Sequence, residues 1–412
     1  MRNNMQESDN LQVEQKILGK KGMIGFIALC KMFPPISTDM YLPALPSMAV
    51  SFSVTESVMN LTMVFYFLFF AIGVLLFGPV SDKYGRRRII TGGILIYIAG
   101  CILCAFSTGI AALIVCRIIQ AIGGGCMVAV STAMVKDQFA YGAQGSVLSA
   151  AQIMGVLGPV AAPVLGAWVI RLSGWRACFV VQAGVAVVTL VMVMLMAETL
   201  LPERRLKTGI MKTFTRLGVL LHNGNFTVFL FAANLTQIFM MAYVTVSSYI
   251  YINDFGTSQT VYSLFMAGTA LVSVIGPIIY SCNAGRRIRG ISYTILITAI
   301  VFGVVMRLCG RKGPLAFALS FAPAMMANAA MRPFAIRVLL NQRADDSGSA
   351  SSLFNFVNSL FGTFGMWVVT AVWSDYITGV GMLILITGSV SLVIMMLLFG
   401  LRGADVMDPK RG

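Results

Sequence analysis

The segment GPVSDKYGRRR, residues 78–88, lies between two long apolar stretches and carries an aspartate, two glycines and four basic side chains. A related segment, GPIIYSCNAGRR, occupies residues 276–287 and also follows an apolar stretch. The second copy lacks the aspartate and has two additional residues before its Gly-Arg-Arg. The recurrence of Gly-Arg-Arg after matching apolar stretches indicates a chain built from two related halves.

The composition identifies an integral membrane protein. Of the 412 residues, 58% are hydrophobic and only 11% are charged, whereas soluble domains are about 45–50% apolar and about 25% charged. About 20 consecutive apolar residues cross a bilayer as a helix. Twelve segments of the chain satisfy this length: 22–45, 56–80, 89–107, 110–134, 145–170, 174–197, 226–252, 260–281, 290–309, 314–339, 348–371 and 378–401. Residues 1–21 lack the apolar region of a signal peptide, so the first segment is expected to remain in the mature protein.

The net charge of +15 follows the positive-inside rule, because cytoplasmic loops of membrane proteins are enriched in Lys and Arg. Most of the 30 basic residues fall in the two termini and in loops that the twelve segments place on one side. Both termini are therefore predicted to be cytoplasmic, and no nucleic-acid partner is expected. The eight cysteines lie in or beside apolar segments and are interpreted as packing residues. No metal-ligand cluster and no catalytic triad are evident, so we predict neither a metal site nor an enzyme.

The longest internal loop divides the chain into two sets of six segments. The predicted organisation is a cytoplasmic tail, a six-helix half, a cytoplasmic linker, a second six-helix half and a tail, at 1–21, 22–197, 198–225, 226–401 and 402–412. Repeated halves are the build of many secondary transporters, which bind substrate between the halves near the bilayer midplane. The predicted fold class is an all-α membrane protein with twelve transmembrane helices.

Residues 78–88 match the pattern G-x-x-x-D-[RK]-x-G-R-[RK], which resembles the loop signature of the major facilitator superfamily. The gating residues are then Gly78, Asp82, Lys83, Gly85, Arg86 and Arg87. Gly78 is expected to allow close helix approach, and Gly85 a tight turn. Asp82 is expected to accept hydrogen bonds from a helix N-terminus across the interface between the two halves, and the arginines to bind acids or lipid headgroups. The alternative is that the basic run only fixes topology.

Two further segments resemble motifs of the same superfamily. LIVCRIIQAIGGGC, residues 113–126, is similar to the fourth-span pattern R-x-x-Q-G, with Ala121 in place of the glycine. It places Arg117 and Gln120 within hydrocarbon depth, where a lone charge is costly, and its run of three glycines favours close helix contact. GVLGPVAAPVLG, residues 155–166, is similar to the antiporter motif of drug exporters. Its helix-bending residues are Gly158, Pro159, Pro163 and Gly166.

Three short segments resemble one branch of that superfamily, the bicyclomycin-resistance (Bcr/CflA) type of drug:proton antiporter. They are TDMYLPALP at 38–46, Asn-Ala at 328–329 and GSASSL at 348–353. The resemblance extends over about residues 22–400. It implies a twelve-helix fold with alternating access, export driven by proton entry, a location in the bacterial inner membrane and function as a monomer. Protons would be the coupling ion, with no other cofactor.

Asp39 is the one acid that the sequence places deep in a predicted span. Burial disfavours the charged form of a carboxyl group, and a nearby cation favours it, so Asp39 can load and release a proton. Lys31 and Arg117 are the candidate cations, and a permanent ion pair is the alternative. Pro34 and Pro35 lie between Lys31 and Asp39 and are expected to break the helix.

Other polar side chains within predicted spans complete the candidate site. The predicted substrate-binding residues are Lys31, Asp39, Gln152, Asn234, Gln237, Asn328 and Arg332. Asn234, Gln237 and Gln152 line a cavity or bond between helices. Asn328 and Arg332 share one helix face, whereas Arg337 extends toward the cytoplasmic surface.

The predicted cavity is net positive and favours anionic, zwitterionic or carboxylate substrates, including a polycarboxylate such as a siderophore. Sequence alone leaves export and uptake open. A non-transporting membrane receptor or scaffold is the alternative from another class of protein.

Overall fold

The computed structural model describes residues 13, 15–205, 218, 221–282, 288–342 and 347–401, and the regular structure in these ranges is helical. In chain order the α-helices are α1 (Gly19–Asp39), α2 (Leu45–Ser51), α3 (Glu56–Tyr84), α4 (Arg86–Ala105), α5 (Ile110–Gln138), α6 (Tyr141–Ser173), α7 (Arg176–Met194), α8 (Gly224–Asn234), α9 (Thr236–Tyr249), α10 (Gln259–Ser273), α11 (Ile275–Cys282), α12 (Ile288–Cys309), α13 (Pro314–Gln342), α14 (Ser347–Val372) and α15 (Tyr376–Leu401). Short 3₁₀ turns occupy Leu42–Ala44, Pro202–Arg204 and Gly310–Lys312, and a π-helical turn follows α9 at Ile250–Asp254.

Helices that can cross a membrane dominate the described part of the chain. Within it, ten helical stretches are long and apolar enough to span a bilayer. α1 is not among them, because it contains three lysines and two prolines and ends in Asp39. In α6 only the part from Leu157 to Ser173 forms a short apolar helix. The chain is therefore a multi-pass helical membrane protein, and the count of twelve spans stays a prediction.

Contacts divide the chain into two compact units. Unit 1 comprises the described residues within Met1–Ala44 and Phe65–Thr213, and unit 2 those within Leu45–Val64 and Phe214–Gly412. Hydrogen bonds join the short segment 45–64 to the rest of unit 2. The Ser57 hydroxyl donates to the Thr370 carbonyl at 2.7 Å, and the Asn253 amide donates to the Glu56 carboxylate at 2.9 Å.

Close helix contact in unit 1 depends on the glycine run predicted from residues 123–125. A Cβ atom on Gly123 would lie 2.6 Å from the carbonyl oxygen of Gly93 on α4. A Cβ atom on Gly125 would lie 2.5 Å from the carbonyl oxygen of Phe70 on α3. Since real Cβ atoms do not approach backbone so closely, these glycines let α5 pack directly against two neighbours, as predicted.

Candidate functional site

The last turn of α1 is the centre of the polar structure in unit 1. α1 continues through Pro34 and Pro35 and ends at Asp39, so the prediction that the prolines break the helix is wrong in position. The two prolines remove N–H donors from the ladder, but the helix axis carries on for four more residues. The regular helix is lost only after Asp39, ahead of the 3₁₀ turn at Leu42–Ala44.

Side chains from other helices bind the carbonyl groups at this helix end. Carbonyls in the last turn of a helix have no N–H partner within the helix. The Ser37 carbonyl accepts a hydrogen bond from Arg117 Nη1 at 2.8 Å, and the Ile36 carbonyl accepts one from Gln182 Nε2 at 3.0 Å. Arg117 lies on α5 and Gln182 on α7, so two helices fix the position at which α1 stops.

Arg117 is fully buried, with 0% of its surface exposed. Its Nη1 also donates to Gln120 Oε1 at 2.6 Å, and its guanidinium carbon lies 4.1 Å from the centre of the Tyr66 ring and 4.7 Å from that of Tyr41. Among the described residues no carboxylate lies within 4.0 Å of this guanidinium. The charge is therefore met by a backbone carbonyl, an amide and aromatic faces, and the ion pair considered for Arg117 and Asp39 is not formed.

The polar network around Arg117 extends to α4 and α7. Gln120 Nε2 donates to Gln182 Oε1 at 2.7 Å, and the hydroxyls of Ser37 and Tyr97 lie 2.5 Å apart. All four side chains are buried. Sequence reasoning missed Tyr97 and Gln182. Gln182 is a lone amide in the apolar segment CFVVQAGVA, residues 178–186, which is the signal that identifies it.

Asp39 and Lys31 lie beside this network without joining each other. Asp39 is half-buried, and its carboxylate accepts a hydrogen bond from the Thr38 hydroxyl at 2.8 Å. Lys31 Nζ donates to the Thr132 hydroxyl on α5 at 2.6 Å. In the part of the chain that the structure describes, Asp39 has no ion pair within 4.0 Å. The structure thus brings Asp39 to the end of a helix whose position is set by Arg117, rather than into contact with a cation.

The motif at 155–166 packs against the same part of α1. A Cβ atom on Gly158 would collide with the Pro35 ring, and one on Gly166 would collide with the carbonyl oxygen of Met40. The predicted helix interface is therefore present, with both glycines in contact with the end of α1. Pro159 and Pro163 lie inside the continuous helix α6. The side chain of Gln152, also on α6, lies outside the described residues.

The loop motif forms a tight turn with a buried arginine. Gly85 separates α3 from α4 with φ of +97°, a conformation that favours glycine. Arg86 forms ion pairs with Asp82 at 2.6 Å and with Asp137 at 2.8 Å. The predictions of a turn at Gly85 and of acidic partners for Arg86 are confirmed. Lys83 Nζ lies 5.4 Å from the centre of the Tyr84 ring.

One contact of the loop was not predicted, and one detail differs from the prediction. The carboxylate at the N-terminus of α4 belongs to Glu198, which accepts from the backbone N–H of Arg86 at 2.9 Å and of Arg87 at 3.2 Å. The Asp82 carboxylate pairs with the Arg86 side chain, and its hydrogen bonds across the interface between the halves stay a prediction. Apart from chain neighbours and its own helix backbone, no atom of a described residue lies within 4 Å of a Cβ built on Gly78, so the close approach predicted there is not seen among these residues. Glu198 was missed because it is distant in sequence from the helix it caps.

Amide side chains in unit 2 connect α8, α9, α13 and α14. Asn234 is fully buried at the end of α8, donates to the Leu230 carbonyl at 2.8 Å and accepts from Asn358 Nδ2 at 2.8 Å. Asn328 Nδ2 lies 3.4 Å from Gln237 Oε1 in a longer hydrogen bond. For Asn234, bonding between helices is therefore the arrangement seen.

Arg332 is the exposed member of this set. Its Nη2 donates to Asn355 Oδ1 on α14 at 2.9 Å, and its side chain is exposed, as is that of Arg337 further along α13. The sequence indicated Asn328 and Arg332 by their spacing on one helix, but not that Asn355 would contact Arg332 or that Asn358 would contact Asn234.

The long apolar helices of this chain carry an arginine, glutamines and asparagines. These features define a class of protein, the multi-pass membrane proteins with polar groups in their spans. The model of the Major Facilitator Superfamily matches residues 27–366, and the chain belongs to this superfamily. The superfamily consists of transporters rather than enzymes, as predicted.

Individual relatives and structures agree with this assignment. The chain is 25% identical over 347 residues to YdgK of Bacillus subtilis (strain 168), named an uncharacterized MFS-type transporter, with 83% of this chain and 86% of that protein covered. It is 25% identical over 240 residues to a bicyclomycin resistance protein homolog of Haemophilus influenzae, with 58% of this chain and 60% of that protein covered. The predicted resemblance to drug exporters of the superfamily is confirmed. The crystal structure of the peptide transporter POT in complex with sulfate has a similar fold, with a TM-score of 0.77, 16% identity and coverage of 98% and 99% of the two chains.

Proposed function

We propose that this protein is a proton-coupled antiporter that exports small amphiphilic molecules across the bacterial inner membrane by alternating access. The observation that carries the proposal is the position of Asp39, half-buried at the end of α1 and free of an ion pair among the described residues. Ionisable residues within spans are costly and commonly serve transport. The relative named for bicyclomycin resistance supports export rather than uptake.

In this mechanism Asp39 takes up and releases the coupling proton, with no other cofactor. Arg117 acts through α1, because its bond to the Ser37 carbonyl fixes the turn that carries Asp39. The packing of Gly158 and Gly166 against Pro35 and Met40 lets a movement of α6 reach the same turn. A change in protonation of Asp39 can therefore be transmitted to two neighbouring helices.

The proposal includes the twelve-span topology with both termini cytoplasmic, division into the six-helix halves 22–197 and 226–401, and function as a monomer. Reporter domains fused to each terminus test the orientation, since a phosphatase that requires an oxidising compartment should be inactive in both fusions. Light scattering of the detergent-solubilised protein tests the monomer.

The proposed substrates are anionic, zwitterionic or carboxylate-bearing, because the predicted first span contains Lys31 and α13 contains Arg332. A specific polycarboxylate such as a siderophore, moved by export or uptake, is the second candidate within the same chemistry. Comparison of a lipophilic cation, a neutral compound and a carboxylate in one transport assay separates these cases. If cations are exported faster than acids, Lys31 and Arg332 do not select the substrates by charge.

Asp39→Asn tests the coupling role directly. In proteoliposomes with an imposed proton gradient, the wild type should couple substrate movement to proton movement, which a pH-sensitive dye records. Asp39→Asn should abolish the coupled proton flux while the protein remains folded. Asp375→Asn, which removes an acid outside the spans, is the matched control and should retain coupling. Wild-type coupling in Asp39→Asn would remove Asp39 from this role, and absence of transport by the wild type under all gradients would favour a receptor or scaffold.

A further inference from the structure

The polar face of unit 2 has a regular geometry. On α13, Asn328 and Arg332 are four residues apart, so their side chains are neighbours on one face, with about 5–6 Å between their Cβ atoms. On α14, Asn355 and Asn358 are three residues apart and likewise share a face. Arg332 contacts Asn355 at 2.9 Å, so these two faces meet at the level of the guanidinium.

Within the described residues, Arg332 carries a charge without a carboxylate partner. None of the acidic side chains in the described ranges lies within 4.0 Å of its guanidinium, and the side chain is exposed although α13 is one of the apolar spans. A charge at this depth is unfavourable unless water or an anion meets it. Arg117, by contrast, is enclosed by aromatic rings and bonded to a carbonyl, which leaves it no access to a ligand.

Asn355 bonds one end of the guanidinium. A guanidinium has five N–H donors in a planar fork, and the bond from Nη2 to Asn355 Oδ1 uses one of them. The remaining donors fit a carboxylate, which accepts two parallel N–H bonds from such a fork. A lysine in this position would provide a point charge without this planar match.

The second polar pair on this face is weakly bonded. The hydrogen bond from Asn328 Nδ2 to Gln237 Oε1 is long, at 3.4 Å, so little is lost when a ligand replaces it. Both side chains are half-buried. Amides donate and accept, and they suit a hydroxyl or amide group of a ligand. The buried Asn234, bonded to Asn358 at 2.8 Å, holds the adjoining part of α14 in place.

We propose that Arg332 binds the carboxylate of the transported molecule with Asn355 as its positioning residue. Gln237 and Asn328 bind a second hydrogen-bonding group on the same molecule, about one helical turn from the carboxylate. The ligand class is therefore a small amphiphilic acid with an amide, hydroxyl or second carboxyl group. The inference rests on the proposed transport function and narrows its substrate class.

Binding to the purified protein tests the site without requiring transport. The probes are N-acetylphenylalanine and its methyl ester, which differ only in the charge of the carboxyl group. Thermal stabilisation as a function of probe concentration gives the two dissociation constants. The wild type should bind the acid more tightly than the ester. Arg332→Gln should weaken acid binding by about 10- to 100-fold, as expected for loss of a charge-assisted bond, and should remove the preference for the acid. Arg332→Lys should restore part of it.

The positioning role of Asn355 and the effect of net charge need separate variants. Asn355→Leu should raise the KM for the acid in proteoliposomes by several-fold with kcat little changed, because it disorders the fork without removing charge. Arg337→Gln removes the same charge from the same helix, five residues on, and should leave the acid-to-ester ratio unchanged. An equal loss of acid and ester binding in Arg332→Gln, or the same loss of preference in Arg337→Gln, would overturn the site. If the protein transports the ester under a proton gradient and shows no preference for the acid, the proposed site is wrong but the transport function stands. If the protein binds the acid but transports neither compound, the transport function is wrong but the site stands.

Discussion

Replacement of Arg117 by methionine should strongly destabilise unit 1. Methionine is similar in length but cannot donate, so the Ser37 carbonyl and the Gln120 side chain lose bonds of 2.8 and 2.6 Å. Each hydrogen bond to a charged group contributes about 1.5–3 kcal/mol. The guanidinium also lies 4.1 Å from the centre of the Tyr66 ring, a cation–π contact that contributes about 2 kcal/mol when desolvated.

Part of this loss is offset, since a buried arginine pays a large desolvation cost and methionine packs well against aromatic rings. We therefore expect the free energy of unfolding to fall by about 2–5 kcal/mol, because two buried acceptors lose their donor at about 1–3 kcal/mol each. Arg117→Lys should fall between methionine and wild type, because one ammonium group retains the charge but lacks the fork.

Denaturant titration of the purified protein in mixed micelles, extrapolated linearly to zero denaturant, measures this change. Arg171→Met is the matched control, because Arg171 is exposed at the end of α6, and its stability should stay within about 0.5 kcal/mol of wild type. If Arg117→Met is as stable as this control, Arg117 does not hold the end of α1. Loss of proton coupling at unchanged stability would instead assign Arg117 to the proton path.

Two further substitutions test packing and charge. Gly166→Ala should lower the free energy of unfolding by about 1–3 kcal/mol through collision with the carbonyl oxygen of Met40, directly after α1. Gly184→Ala, where a Cβ would meet no atom within 4 Å beyond its own helix backbone, should be neutral or stabilising by up to about 1 kcal/mol. Equal effects of the two substitutions would contradict the close contact at Gly166. Partial burial raises the pKa of Asp375, but hydrogen bonds from Thr378 and Arg311 outweigh it and lower the pKa below its ordinary value of 3.8. A carboxyl group whose pKa is lowered in the folded state stabilises the protein at pH values above its ordinary pKa. This stabilisation is lost as the pH falls through the lowered pKa. The unfolding midpoints of wild type and Asp375→Asn should therefore differ most at pH 7, and this difference should shrink below about pH 4. A difference that stays constant across this range would exclude the ionised carboxylate as its cause.

The apolar segments and the loop signature were sufficient to predict the membrane class and the family. Hydropathy reports each span independently, and a turn at Gly85 follows from local chemistry. The end of α1 at Asp39 was harder to predict from sequence, because prolines predict a helix break at their own position. Here α1 continues past Pro35 until its carbonyls meet donors from other helices.

Partners distant in sequence account for the rest of the differences. Depth in the membrane marked Arg117 as unusual, but its bond to Ser37 joins residues 80 positions apart. Glu198 caps a helix that begins 112 residues earlier. In the same way, Asn355 meets Arg332 only because α13 and α14 pack together. Such pairings depend on how helices assemble, which spacing within one helix does not encode.

Because of the carbonyl end of α1, Asp39 is not needed as the counter-ion of Arg117. The C-terminus of a helix carries about half a negative elementary charge, and here that end is bonded to Arg117. The helix backbone is thus a permanent partial counter-charge that cannot be protonated. Arg117 keeps this contact whether Asp39 is neutral or ionised, so in the proposed coupling a proton on Asp39 would not have to break an ion pair of Arg117. Two titratable partners locked in one ion pair would not have this independence.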